Sequence, residues 1–561
     1  MRYFTIILSL LFCQLLAAQE NYSTLTRKAL KTMWDAKDLE GYQKSLDMYE
    51  EAFKIYPDSI DGLGLYKASV LASNLKDYDK AFGYLTPLVA MARDESGEPG
   101  FIYVLNKYAE GEYKNLLTDP RWEALKEKAK KDKAAFYKVF EDKENEFYSI
   151  KANSLEGVKD PKKLYEELTG YNPYKTKAEQ GYSMSFHIND STKTSFFVQL
   201  PEAYSPEKKY PLLFILHGAI RYGRLADYQE AEWNLGGWNR FYTKFATENE
   251  VIMVFPKGSK VYNWMIPNDG FYMIPEMLKM IKKGINVDDN KVFISGHSNG
   301  ATGSFSYLMK QPTEFAGFYG LNTYPKVFTG GTFIENIKNR SFINFSTDQD
   351  YYYPPNANDD FTAMMKDMKA DYQEYRYNGF PHWFPEFDES EPAFEILFKD
   401  LSSRSRNPFP KEVTWEFDDE NYGQADWLSE MKLDTMSTRA DWHQERNFKI
   451  DKWLEYKDKD SDDLTEVAVD KKAFVNPRKS GKIIARYDNN TFRIKTSALE
   501  SFTINISPEM VDLKKKVKVI VNGKNYFNGK IKYDTDFMLS HFEKTHDRAQ
   551  VWVNQIKIEM E

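Results

Sequence analysis

Gly296-His297-Ser298-Asn299-Gly300 directly follows the apolar run Val292-Phe293-Ile294-Ser295. A serine flanked two residues away by glycines, between a strand and a helix, sits on a turn too tight for a Cβ at the flanking positions and exposes its hydroxyl. That hydroxyl is a poor nucleophile until a base takes its proton. Where such a serine works, the acid and then the histidine follow it in the chain. Of the seven histidines, His187 and His217 precede the serine, His297 lies inside the turn, and His443, His541 and His546 fall near the C-terminus. His382, in YNGFPHWFP just after the strand-like YQEYRY, is the candidate base. The run SFINFS ends in Thr347-Asp348-Gln349-Asp350. Asp350, four residues before Pro354, is the first candidate for the acid that orients His382, and Asp348 is the alternative.

Acyl transfer through a serine also needs backbone N–H groups to hold the oxyanion of the tetrahedral intermediate. One is expected from Asn299, the residue after the nucleophile. The other is expected from the loop after Leu216-His217, with Ala219 the first choice and Gly218 the second. Trp233, Trp238 and Trp264 lie in loops after strands, and Trp383 adjoins His382. Their rings are candidates to stack on sugar rings or aromatic acyl groups. No metal and no cofactor is expected. The chain has no H-E-x-x-H, phosphate-binding loop or dinucleotide fingerprint. Asp458, Asp460 and Asp462 alternate as in a calcium loop, but Asp463 replaces the turn glycine and Val469 the final glutamate.

The elements around these residues alternate in type. PLLFILHG (211–218), VIMVFPKG (251–258), KVFISGHSNG (291–300), FAGFYGLN (315–322) and SFINFSTD (341–348) are short apolar runs ending in polar residues or glycine, separated by helix-like segments such as IPEMLKMIKKGI. That pattern predicts a mostly parallel sheet covered on both faces, with functional residues at the carboxyl ends of its strands. Before it, residues 19–148 carry apolar residues at helical spacing, and 149–180 hold the turn signals Asp160-Pro161 and Asn172-Pro173 and read as a linker. The sheet region is expected over 181–406. From 407 to 561 period-two alternation, with Asn522-Gly523 between two alternating runs, predicts a separate, mainly antiparallel β domain.

At 561 residues the chain is too long for one core of ordinary size. A hydrophobic fraction of 42% with 16% aromatics excludes general disorder, and a formal net charge of −8 gives no nucleic-acid footprint. Arg2, the apolar run Tyr3–Leu16 and the small residues Ala17-Ala18 read as a signal peptide over 1–18, so the chain is expected to be exported, to the periplasm or beyond, with no membrane span once cleaved. Cys13, the only cysteine, lies in that segment, so the mature chain has no disulfide and no thiol nucleophile.

Two resemblances sharpen this. DLEGYQKS at 38–45 and NLKDYDKA at 74–81 are offset by 36 residues and resemble tetratricopeptide helix pairs, which implies a protein partner at the helical N-terminal region. PLLFILHG, VFPKG followed by Tyr262-Asn263-Trp264, DDNKVFISGHSNGA and PTEFAGFYG resemble the α/β-hydrolase fold over about 185–400. More narrowly they are similar to the polyhydroxybutyrate-depolymerase and feruloyl or acetylxylan esterase group of exported bacterial hydrolases, although Ala301 stands where these esterases often carry glycine. The resemblance implies an α/β-hydrolase core, Ser298 as nucleophile, Asp350 as acid and His382 as base. It implies a carboxylic ester substrate and, at its finest, an acylated carbohydrate. Prolyl-oligopeptidase-type peptidases share these elements and give a second reading, and a non-catalytic binding or scaffold protein gives a third.

Overall fold

The computed structural model describes residues 21–151, 155, 157–219, 225–229, 232–266, 269–458 and 463–560. The expected signal peptide lies outside the described residues. Among those that are described, no helix is long and apolar enough to cross a membrane. The chain forms two compact units, 1–142 and 143–561.

The first unit is helical. Its main helices are α1 (Tyr22–Asp35), α2 (Leu39–Ile55), α3 (Gly62–Leu75), α4 (Tyr78–Ala90) and α5 (Pro120–Phe147), the last running past the boundary between the units. Side chains start the first four: Asn21, Asp38, Asp61 and Asp77 accept from Thr24, Gly41, Gly64 and Lys80 N–H groups that have no intrahelical acceptor. The 36-residue repeat superposes buried positions, Ser45 on Ala81, Tyr49 on Leu85 and Ala52 on Leu88. The helix starts do not superpose. Asp38 opens the first copy as a cap, whereas in the second copy the cap is Asp77, three residues in.

The second unit is built on an eight-stranded sheet in the order β1-β2-β4-β3-β5-β6-β7-β8. The strands are β1 (Gly181–Asn189), β2 (Thr192–Gln199), β3 (Tyr210–Leu216), β4 (Ile252–Pro256), β5 (Val287–Gly296), β6 (Gly317–Leu321), β7 (Ser341–Gln349) and β8 (Tyr372–Pro381). β1 and β2 are antiparallel and the remaining six run parallel. The period of two divides β3 between two cores: Leu212, Phe214 and Leu216 face one, Leu213 and Ile215 the other. The second core is closed by α7 (Arg240–Glu248) and α11 (Glu391–Ser403), the first by α8 (Met273–Gly284), α9 (Asn299–Lys310) and α10 (Pro355–Asp367). This is the α/β core that the alternating apolar runs predict.

Two expectations about boundaries are corrected. The segment 149–180 is no linker. Asp160 caps α6 (Pro161–Thr169), whose Leu164 and Leu168 are fully buried in the first core. The turn signals are real but mark a short amphipathic helix. Nor do residues 407–561 form a separate domain. They fold into a five-stranded sheet (β17-β16-β14-β13-β9), a three-stranded sheet (β10-β15-β18) and a two-stranded hairpin (β11-β12), and their Val413, Trp415, Ile483 and Phe502 belong to the same core as Phe214 and Ile294. Here β9 is Glu412–Phe417, β10 Leu428–Leu433, β11 Lys449–Tyr456, β12 Leu464–Lys472, β13 Gly481–Asp488, β14 Thr491–Ser497, β15 Leu499–Ile506, β16 Val517–Val521, β17 Lys524–Gly529 and β18 Asn554–Glu559. Pairing is antiparallel except between β14 and β16. Asn522 and Gly523 both take positive φ, 49° and 85°, as a two-residue turn matched to strand twist requires.

Buried ion pairs fasten this part to the α/β sheet. Lys310 of α9 lies 3.1 Å from Asp418, Arg548 lies 2.7 Å from Asp289 of β5, and Arg340 pairs with Asp426. Arg406, which follows α11, lies 2.9 Å from Asp547 and holds that carboxyl below the usual range against the opposing effect of burial. Charges so placed are tolerated because each has its partner.

Candidate active site

Ser298 sits between β5 and α9 with φ 57° and ψ −120°, a conformation that non-glycine residues rarely adopt and that the surrounding structure must enforce. The glycines show how. A Cβ on Gly300 would lie 1.9 Å from the Leu216 carbonyl oxygen at the end of β3, and one on Gly296 would lie 2.5 Å from the Gly300 carbonyl carbon. Only glycine lets the start of α9 press against β3 and push the serine outward.

His382 follows β8. Its Nε2 lies 2.8 Å from Ser298 Oγ and its Nδ1 lies 2.7 Å from Asp350 Oδ1. Since the carboxylate can only accept, Nδ1 carries the proton and Nε2 is free to accept from the serine hydroxyl. Asp350 is buried, beyond the end of β7. Its Oδ1 also accepts from the Tyr352 N–H at 2.8 Å, and its Oδ2 from Asn322 Nδ2 at 3.0 Å. Asp348, the alternative acid, does not approach His382. It accepts from the Gly379 N–H at 2.7 Å and ties β7 to β8.

Asn299 opens α9, so its N–H has no intrahelical acceptor and is free for a ligand. Ala219 takes φ 37°, and Ala219 and Gly218 line the same cavity as Ser298 and Asn299. A Cβ on Gly218 would lie 3.2 Å from Ser298 Cβ, which measures how closely this loop abuts the serine. His217 fixes the loop. Its Nε2 accepts from the Gly258 N–H at 3.0 Å, so Nδ1 is protonated and donates to the Gly218 carbonyl at 2.7 Å. Burial keeps this imidazole neutral by lowering its pKa.

The cavity measures about 750 Å³ and is walled by Trp238, Tyr242, Tyr351, Tyr352, Trp383 and Phe394. Trp383 is therefore where a ligand ring would meet it. Trp264 is not. Its fully buried indole fills the space left by two glycines, with Gly303 and Gly258 Cβ positions 2.4 Å and 2.9 Å from it, and its edge meets His217 at 4.7 Å. Its expected role against substrate is corrected to that of a packing wedge. The Trp233 side chain lies outside the described residues.

Three residues emerge only from the geometry. Asn322, with φ 55°, directly follows β6 and carries the hydrogen bond to Asp350. Tyr352 donates through its hydroxyl to Asn299 Oδ1 at 2.9 Å. His297 donates from Nε2 to the His382 carbonyl at 2.7 Å, and burial lowers its pKa to about 3, so it stays neutral while it holds the backbone of the histidine that faces Ser298. A polar residue closing a strand is the one sequence signal that points to Asn322. Nothing in the sequence marks the other two. The hairpin β11-β12 adds a further support. Trp453 Nε1 donates to the Tyr351 carbonyl at 3.0 Å and the Tyr456 ring lies 5.0 Å from that of Tyr351.

Serine, imidazole and carboxylate within hydrogen-bond reach, beside a free helix N-terminal N–H, can transfer an acyl group. No cluster that could hold a metal occurs among the described residues. Comparison with known proteins gives the class. Residues 189–323 match the family model described as "Putative esterase". No curated protein matches the chain. Among solved structures, a thermostable esterase is 20% identical, with a TM-score of 0.34 over 40% of this chain and 64% of its own. A ferulic acid esterase is 17% identical, with a TM-score of 0.31 over 40% of this chain and 98% of its own. The S-formylglutathione hydrolase FrmB of Staphylococcus aureus is 16% identical, with a TM-score of 0.30 over 40% of this chain and all of its own. The chain carries an esterase segment and is an enzyme, a carboxylic ester hydrolase.

Proposed function

We propose that this ester hydrolase works through Ser298, His382 and Asp350 by an acyl-enzyme. The observation that carries the reading is the continuous hydrogen-bonded line from Ser298 Oγ through both ring nitrogens of His382 to Asp350. Ser298 Oγ attacks the ester carbonyl as His382 Nε2 takes its proton. The Asn299 and Ala219 N–H groups hold the oxyanion, with Gly218 shaping that loop. His382 then gives the proton to the departing alkoxide. Water, deprotonated by the same imidazole, releases the acid. The buried carboxylate keeps His382 in the right tautomer and stabilises the imidazolium.

On this reading the aromatic walls of the cavity, Trp383 among them, receive the substrate, and an acylated carbohydrate fits a pocket with several ring faces. Export, to the periplasm or outside, is part of the proposal and rests on residues 1–18. So is a tetratricopeptide-like role for the N-terminal unit, supported by the superposed buried positions of α2 and α4. The test is hydrolysis of short nitrophenyl esters by wild type and Ser298→Ala. The variant is expected to lose roughly 10⁴-fold or more in kcat while keeping its melting temperature. Retained turnover would sink the assignment.

A further inference from the structure

The five-stranded sheet turns one face to the core and the other outward. Ile483, Ala485, Tyr487, Phe492 and Ile494 are buried, and the residues between them, Ile484, Arg486, Asp488, Arg493 and Lys495, are exposed. Register arranges the outward residues in rows. Arg486 stands directly opposite Arg493, with Glu412 on its other side and Ile520 beyond Arg493. Ile484 pairs with Lys495 in the next row, and Lys518 lies beside Thr491. Like charges directly opposed on an antiparallel pair destabilise it. Neither guanidinium has an ion pair or a side-chain hydrogen bond among the described residues. With Lys495 and Lys518, the face carries four cations against Glu412 and Asp488, on a chain whose formal net charge is −8. Two adjoining grooves of about 620 and 630 Å³ run along it, both lined by Glu412, Arg486 and Arg493. The half-buried indole of Trp442 borders the second, beside Ile484 and Ile520.

We propose that this face is a binding site, apart from the ester-hydrolysing centre, for a polysaccharide of carboxylate-bearing sugars. Each guanidinium presents a planar fork that takes a carboxylate through two hydrogen bonds. Trp442 and the two isoleucines supply apolar surface for the faces of the sugar rings between the charges. A polyanion with charges spaced more closely than one per sugar ring fits less well, because the acidic remainder of the chain repels it more strongly. The apolar surface is too small to enter a bilayer. The site does not depend on the acyl-enzyme reading.

The opposed arginines give the test a signature. Electrophoresis of the full chain through gels containing polygalacturonate, at about 0.15 M salt, is expected to show retardation that neutral xylan does not produce. Arg486→Gln/Arg493→Gln should weaken it roughly tenfold or more, yet leave the melting temperature equal or higher, since a repulsive pair is gone. Trp442→Ala should weaken retardation with both arginines in place. The proposal falls if polygalacturonate does not retard the chain or if the double variant binds as well as wild type. It also falls if polyphosphate, DNA or phosphatidylglycerol vesicles bind the chain as tightly as polygalacturonate through the same arginines.

Discussion

Two aspartates lie two positions apart at the end of one strand, and geometry gives them different work. Asp350 meets His382, whereas Asp348 caps the Gly379 N–H. Asp350→Asn is therefore expected to lower kcat roughly 10⁴-fold by favouring the wrong tautomer. Asp348→Asn should cost less than about tenfold, through loop position alone. Parallel kinetics on the two variants decide this, and a larger loss for Asp348→Asn would reverse the assignment. At this scale the sequence was legible where chemistry forces a local pattern. Gly296 and Gly300 are needed because two backbones touch, so the motif is short and visible. His297, Asn322 and Tyr352 act on partners more than 25 residues away, brought near only by the sheet order. Trp264 was misread because an indole in a loop near a site has the same sequence appearance whether it faces a ligand or fills the space over two glycines.

At the scale of elements, the hairpin β11-β12 reaches the site from a part of the chain that composition sets apart. It supports Tyr351, whose ring stands 5.1 Å from that of His382. Tyr456→Ala is expected to raise KM for bulky aryl esters about two- to tenfold, matching a ring contact of roughly 0.5–1.5 kcal/mol. Acetyl esters should be nearly unaffected. A matching fall in kcat for both substrates would mean that the hairpin positions His382 instead. The elements themselves were readable from periodicity: parallel strands as apolar runs, the C-terminal strands as alternation, the turn at Asn522-Gly523 from two residues. The α6 helix was not, because nine residues bounded by proline and glycine give too little period to outweigh the turn signals.

Across the whole molecule, the boundary near 407 separates textures but not cores. The buried pairs carry the consequence. Lys310→Met strands the Asp418 carboxylate, where losing a buried partner costs about 3–5 kcal/mol. Arg478, 3.3 Å away and partly exposed, stays, so the loss is expected at the lower end and is measured by urea unfolding. The histidines set the acid limit. His297 titrates near 3 when folded and His541 and His546 near 4, all lowered by burial from about 6.5. Below about pH 6.5 the unfolded chain binds more protons than the folded one, so stability is complete above that pH and declines as pH falls toward 3–4. Melting temperature should fall steadily from pH 7 to pH 4.5, and His297→Asn should flatten the slope. A pH-independent melting temperature over that window would refute it. No composition statistic reveals this coupling, because a shared core depends on which faces meet, not on what each stretch contains.

The three-stranded sheet has one more implication, in kinetic terms. Its middle strand β15 is flanked by β10 and β18, which lie at residues 428–433 and 554–559. The chain leaves β14 for β15 in this sheet and then returns to the five-stranded one as β16, parallel to β14. Strands of the two sheets therefore alternate along the chain. Closing pairs so far apart in the chain pays loop entropy before it gains any contact. A chain paused before β18 thus leaves one edge of β15 open, to be protected until the last pairing forms.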